Sequence, residues 1–220
     1  MDFGNLSPAL ILVAVVGLAL APFVAVMVTS FTKIVVVLSL LRNALGLQQV
    51  PPNVVVNGLA LILSIYVMYP VILDSYAAVD QRAASEPLQK LDVKRLAAFA
   101  ESGREPLRKF LVKHSSDTER AFFLRTAKRL LPPEKADVAA EDFVIVVPAF
   151  TVTELTAAFQ IGFLVFLPFL VIDLIVANIL LALGMMMLSP TTVSLPFKLM
   201  LFVSLDGWAK LVHGLVLTYR

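Results

Sequence analysis

Thirty consecutive residues, from Phe3 to Thr32, separate the charges of Asp2 and Lys33. With Leu6 to Val28 as its apolar heart, the run suffices for one membrane helix of roughly 20 residues. It lacks the basic leader and short apolar core of a secretory signal. Asp2 before the run, with Lys33 and Arg42 after it, favours an outside N-terminus and an inside first loop. Gly17, Ala21 and Ala25 recur every fourth residue, a ridge along which another helix could approach closely. Alanine is common enough for chance to give the same spacing. Pro22 predicts a kink or the start of a break.

Further apolar segments follow. Thr29 to Gly46 is apolar but interrupted by Lys33 and Arg42, and reads as a re-entrant or surface helix capped by Gly46. Pro51-Pro52-Asn53 forces a turn, and Val54 to Leu73 has the length of a second span, with Tyr66, Tyr69 and Tyr76 suited to a membrane–water boundary. Phe143 to Val147 is β-branched and leaves its conformation open. Leu155 to Leu183 is a third apolar stretch, interrupted by Gly162, Pro168, Asp173 and Asn178, so a bent or broken hairpin competes with a straight helix. Leu195 to Leu217 is a poor fourth span, since it holds Lys198, Asp206, Lys210 and His213.

Charge is segregated accordingly. The chain is 59% hydrophobic and 15% charged. Between Asp74 and Asp142 lie 13 of its 18 Lys and Arg and 12 of its 16 Asp and Glu. That part is nearly neutral and reads as soluble and helical. Leu88, Leu91, Leu96 and Phe99 fall near helical spacing, Gly103 is expected to stop one helix, and Pro106 to open the next. Ser116-Asp117-Thr118-Glu119 has the form of a capping box, and Pro132-Pro133 ends the helix that follows. The cations here read as solvated faces. A net charge of +2 gives no field for nucleic acid. Without cysteine there is no disulfide, thiol nucleophile or thiolate-bound metal. No nucleophile, metal cluster or phosphate loop can be assembled, so neither an enzyme nor a cofactor is expected.

Two features point to function. Met185, Met186 and Met187 stand between Gly184 and Pro190, in a loop between apolar segments. Methionine is flexible and polarizable, so the cluster suits a deformable apolar plug, although filler at a helix end is an equal alternative. The second feature is charge within apolar segments. An acid or lysine at the bilayer centre costs at least about 2.5 kcal/mol, so Glu154, Asp173, Lys198, Asp206 and Lys210 must pair, face water or be shielded by other chains. Asp173, Asn178 and Asp206 are expected to be buried polar groups. Glu154 and Lys198 could pair between neighbouring copies. Glu154, Ala158 and Gly162 share one helical face, where a partner helix could come near the acid.

Three stretches carry a resemblance. The first is Met27-Val28-Thr29-Ser30-Phe31-Thr32-Lys33-Ile34-Val35-Val36-Val37-Leu38, with Leu41-Arg42-Asn43-Ala44-Leu45-Gly46 and Pro51-Pro52-Asn53. The second runs from Val147-Pro148-Ala149-Phe150 through Glu154-Leu155 to Ala158-Phe159-Gln160-Ile161-Gly162-Phe163. The third is Ala182-Leu183-Gly184-Met185-Met186-Met187, with Leu195-Pro196-Phe197-Lys198-Leu199-Met200-Leu201-Phe202 and Asp206-Gly207-Trp208. Together they resemble the export-gate R subunit of bacterial type III secretion systems, whose flagellar counterpart is the P subunit (the SctR/FliP/YscR family). Because the first apolar stretch starts almost at once, the chain looks more like the injectisome branch than the flagellar one.

The resemblance implies a pentamer that joins S and T subunits, with U and V subunits of the export apparatus as further partners, in a helical pore for unfolded proteins. It implies that Met185, Met186 and Met187 form the pore gasket and that Glu154 and Lys198 pair between subunits. It also implies a bacterial inner-membrane protein in contact with lipid, its soluble segment periplasmic. The expected fold is all-α: membrane-associated helical hairpins made of about four apolar segments, some broken, with an inserted soluble helical segment. The expected parts are apolar helices over 1–76, the soluble segment over 77–142, and apolar helices with the methionine loop over 143–220. The competing function is a proton or small-solute transporter using Asp173, Asp206 and Glu154 as a relay, which would call for inverted repeats that the two halves do not show.

Overall fold

A computed structural model describes residues 8–47, 49–85, 93–132 and 137–220. Asp2, Leu6, Leu88, Leu91 and Pro133 lie outside the described residues. Among the described residues eight helices follow in order: α1 (Pro8–Met27), α2 (Phe31–Ala44), α3 (Asn53–Ser85), α4 (Val93–Lys113), α5 (Asp117–Leu130), α6 (Phe143–Ala182), α7 (Pro190–Ser204) and α8 (Gly207–Leu217). The chain is all-helical over the described residues. By length and composition α3 and α6 can each cross a membrane, and the bent pairs α1–α2 and α7–α8 raise the number of spans to as many as four.

The organising helix is α2. Lys33, Ile34, Val37, Leu38, Leu41 and Ala44 recur at spacings of three and four, and all are buried. Of the two sequence expectations, a re-entrant or a surface helix, the second does not hold: α2 lies against α6 and α3 at the centre of the fold. It follows a sharp break of the kind that a broken span or a re-entrant loop shows. The axis turns by 61° between α1 and α2. Thr29 and Thr32 donate their hydroxyls to the Ala25 and Val26 carbonyls, at 2.8 and 2.7 Å, and satisfy oxygens that the end of α1 leaves free. Ser30, beside the break, meets Ser64 of α3 at 3.2 Å in the interior.

Apolar contact then fills three clusters. Ile34, Val37 and Leu38 pack on Val56 and Ala60 of α3, Ala158 of α6 and Leu215 of α8. Leu41, Ala44 and Leu45 meet Phe169 and Phe202. Phe110 and Leu111 of α4 join Val28, Met68, Val146, Phe150 and Tyr219. The closest approach is at Gly162, where a Cβ would stand 2.2 Å from Leu40 Cδ1 and 3.2 Å from Leu40 Cβ. The ridge of Glu154, Ala158 and Gly162 is therefore used inside the chain, by α2. Gly162→Ala is expected to cost about 1–3 kcal/mol, because the crossing must widen. A thermal unfolding midpoint in detergent equal to that of the unaltered chain would contradict this packing.

Several helix ends differ from their sequence expectation. Gly103 and Pro106 interrupt nothing: α4 runs through both. Likewise α1 contains Pro22, α3 contains Pro70, and α6 continues for 40 residues through Pro148 and Pro168. A proline removes one helical hydrogen bond, a local loss that apolar surroundings on both sides can offset. Phe143–Val147 opens α6, and α3 passes beyond Leu73 and Asp74 to Ser85. Two stops do behave as glycine signals. Gly46 (φ +77°) and Gly184 (φ +71°) take the left-handed conformation that favours glycine. Each completes a paired closure: Gly46 and Leu47 donate to Asn43 and Arg42, and Gly184 and Met185 to Leu181 and Leu180. Ser116 caps α5, accepting from the Thr118 amide at 3.3 Å.

Candidate functional site

The hairpin of α6 and α7 carries the methionines at its tip. Gly184 ends α6, the Leu188 amide closes a turn onto the Met185 carbonyl at 3.3 Å, and Pro190 opens α7 as its first residue. Met186 and Met187 occupy the corner of that turn. They are 80% and 99% exposed, and Met185 is 47% exposed. These side chains are not core filler in the single chain. Below the tip, residues including Ile175, Ile179, Val193 and Phe197 line a wholly apolar space of about 370 Å³.

A charged contact joins the two limbs. Asp173 of α6 accepts from Lys198 Nζ at 2.6 Å and from the Ser194 hydroxyl at 2.5 Å. Lys198, only 3% exposed, also donates to the Ala44 carbonyl at 3.1 Å. That carbonyl belongs to the last turn of α2, where backbone oxygens lack helical partners and a cation is favoured. One ammonium thus fastens α6, α7 and the end of α2 together. Asp173 precedes Gly184 by eleven residues, which places the fastening roughly 16 Å from the tip at 1.5 Å per residue.

A second buried charge lies at the other end of α2. Lys33 Nζ and Glu154 Oε1 are 3.0 Å apart, with the two residues 4% and 2% exposed. The Tyr219 hydroxyl donates to the other Glu154 oxygen, and Lys33 stands 3.8 Å above the Tyr219 ring centre. His114, in the turn after α4, meets the Phe110 ring at 4.7 Å and the Tyr219 ring at 5.2 Å. Burial, then Lys113, then Lys33 disfavour its charged form and lower its pKa from 6.5 to about 4. The imidazole is neutral near pH 7. This junction joins α2, α4, α6 and the C-terminal turn.

The expected polar groups therefore separate. Glu154 and Lys198 are buried but are not partners within the chain; each has its own counter-charge. Asp173 is half-buried, as a member of the Lys198 network. Asn178 and Asp206, expected to be buried, are exposed in the single chain. Asn178 lies on an exposed face of α6. Asp206 is not in mid-helix: it adopts a left-handed conformation (φ 51°) at the 60° bend between α7 and α8, where its carbonyl accepts the Lys210 amide. Lys33, Tyr219, Ser194 and the Ala44 carbonyl were not singled out from sequence as parts of a site. A cation inside the apolar run Phe31–Val37 was the available signal for the first. Among the described residues no group of three His, Cys, Asp or Glu is placed to hold a metal ion.

Much of the remaining surface is apolar. Leu18, Phe23, Val54 and Tyr66 are each more than two-thirds exposed, at 77%, 70%, 82% and 68%. Exposure on this scale marks contact with lipid or with other chains.

Comparison with known proteins converges. Residues 13–215 match the model of the FliP family. The Yop proteins translocation protein R of Yersinia pestis is 53% identical over 92% of this chain and 92% of its own length. Pathogenicity-related ORF2 of Xanthomonas campestris pv. glycines is 51% identical over 96% of this chain and 97% of its own. The hypersensitivity response secretion protein HrcR of Ralstonia nicotianae is 50% identical over 98% and 99%. Names of secretion and virulence dominate among the relatives, with a flagellar FliP also present.

Proposed function

The chain belongs to the FliP family, and from that membership we propose that it is the R-type core subunit of a type III protein export gate. Five copies assemble with S and T subunits, and with U and V subunits nearby, into a pore that conducts unfolded proteins across the bacterial inner membrane. It catalyses nothing; it conducts and gates. α4 and α5 occupy the periplasmic side. Translocation and secretion are what the names of the near relatives describe, and broad exposed apolar faces suit a subunit that meets lipid and sister chains.

One observation carries the gating role: Met186 and Met187 project from a hairpin tip with almost no cover from their own chain. Several such tips around an axis would fill a central opening with soft, deformable side chains. The fastening at Lys198 sets where the tip stands. Replacing Met185, Met186 and Met187 together by glycine is expected to leave assembly intact and raise ion conductance across planar bilayers several-fold. Conductance at the background of the unaltered complex would remove the plug role.

The charged pairs belong to assembly in a different way from the bridge between copies. Such a bridge between Glu154 and Lys198 would exchange Lys33 and Asp173 for a neighbour's charges with no gain in ion pairs. We assign both residues to the internal frame that presents the hairpin. The transporter alternative receives no support from this geometry. Glu154 and Asp173 are each held by a lysine, and Asp206 lies at an exposed bend.

A further inference from the structure

We propose that one face of α8, carrying Asp206, Lys210 and His213, lines the aqueous conduit through which exported chains pass. The inference rests on the export-gate reading and assigns a wall to its pore. It starts from the charges that stand inside apolar segments. Lys33 and Glu154 neutralise each other, and so do Asp173 and Lys198. Arg42 is tied to the corner before α3, through Asn53 Oδ1 and the Pro51 carbonyl. Asp206, Lys210 and His213 are left over. All three are exposed, and among the described residues none has an ion-pair partner within 4.0 Å.

The helix sorts these groups to one side. The Asp206 carbonyl accepts the Lys210 amide, so helical register begins at Asp206. Positions 206, 210 and 213 then fall within an arc of about 60° at 3.6 residues per turn. The opposite side holds Leu211 and Leu215, which join Val56, Ala60 and Leu63 of α3 and Ala158 and Ile161 of α6. α8 therefore runs beside both candidate spans, and its charged face stands level with their apolar turns. Against lipid, an acid and a lysine at that level are costly. Against a sister chain's apolar face they would lose water and gain no partner. Lipid and sister chains have other surfaces to cover: the exposed side chains of α3 from Val54 to Leu73, and of α6 from Val144 to Ile179, are all uncharged. An ionisable face that points outward from its own chain between membrane segments belongs on water. α7 leads from the methionine tip straight to α8, so gate and wall lie on one continuous stretch.

The chain has no cysteine, so single thiols can report water. Lys210→Cys and His213→Cys are compared with Phe163→Cys and Leu174→Cys, on the exposed apolar face of α6. Each is assembled with S and T subunits, reconstituted in liposomes and treated on both sides with a charged maleimide that does not cross membranes. Labelling is read from the mass of this chain. Thiols react as thiolates, which form in water and not in lipid, so the first two variants are expected to react about tenfold faster than the other two. His213→Cys keeps the comparison informative where Lys210→Cys does not assemble. With the three methionines replaced by glycine, Lys210→Glu, or His213→Glu in its place, is expected to shift ion permeability about threefold toward cations, since rings of charge set selectivity. Slow labelling at both positions in a conducting complex would overturn the wall and leave the export-gate reading standing. Fast labelling with unchanged selectivity would also overturn it, because the face then meets water outside the conduit. Absence of both a five-copy particle and conductance would overturn the export-gate reading and this inference with it.

Discussion

A Glu154→Lys subunit is expected to lose its stable fold, Lys33→Glu in the same chain to restore most of it, and Lys198→Glu to restore none. The single change sets a second ammonium against Lys33 in a place where both side chains are almost wholly enclosed. It also removes the acceptor of the Tyr219 hydroxyl. Removing one partner of a buried pair costs about 3–5 kcal/mol, and a domain has about 5–15 kcal/mol in all. The yield of monodisperse protein in detergent, read beside secretion of a reporter substrate, measures the outcome. Two readings of Glu154 separate cleanly here. Rescue by Lys33→Glu follows from a pair inside one chain; rescue by Lys198→Glu would instead follow from a pair between copies. A Glu154→Lys subunit purified in normal yield would contradict the pair inside one chain.

The second large effect belongs to Lys198. Lys198→Met keeps the length of the side chain and deletes the ammonium that joins Asp173 to the end of α2. Asp173 retains Ser194, and its side chain is 24% exposed. Partial access to water lowers the expected loss to about 2–4 kcal/mol, below that of a fully enclosed pair. Adding Asp173→Asn should recover most of the stability, since no unpaired charge then remains. Secretion should not recover with it, because the Ala44 carbonyl is still unmatched and α7 is no longer fastened to α2. Thermal midpoints and reporter export measure the two parts separately. Lys198→Met with an unchanged midpoint would show that the network contributes little. Export restored by the double change would show that the contact with α2 does not position the hairpin.

The sequence reveals apolar length far better than it reveals partners. Spans in α3 and α6 are legible because about 20 apolar residues are hard to place elsewhere, and the stops at Gly46 and Gly184 are legible because a left-handed closing residue favours glycine. Gly103 and Pro106 mislead, since one such residue weakens a single turn while its helix is decided by the packing of many residues. Pairing is less legible still. Lys33 and Glu154 stand 121 positions apart, and Lys198 and Asp173 stand 25 apart. Charge isolated in an apolar run shows that a partner must exist but carries no address for it. Gly162 is the intermediate case: its spacing from Glu154 and Ala158 announces a close approach, and only the fold identifies α2 as the helix that approaches. The methionine tip is legible as a loop, but its exposure required the turn from Met185 to Leu188.

The most direct measurement is the mass of the detergent-extracted complex by native mass spectrometry, with the chain expressed alone and together with S and T subunits. A particle of five times the 24.0 kDa chain is expected, gaining further mass when the partner subunits are present. A monomer or dimer under every condition, with no added mass from S or T, would contradict that assembly.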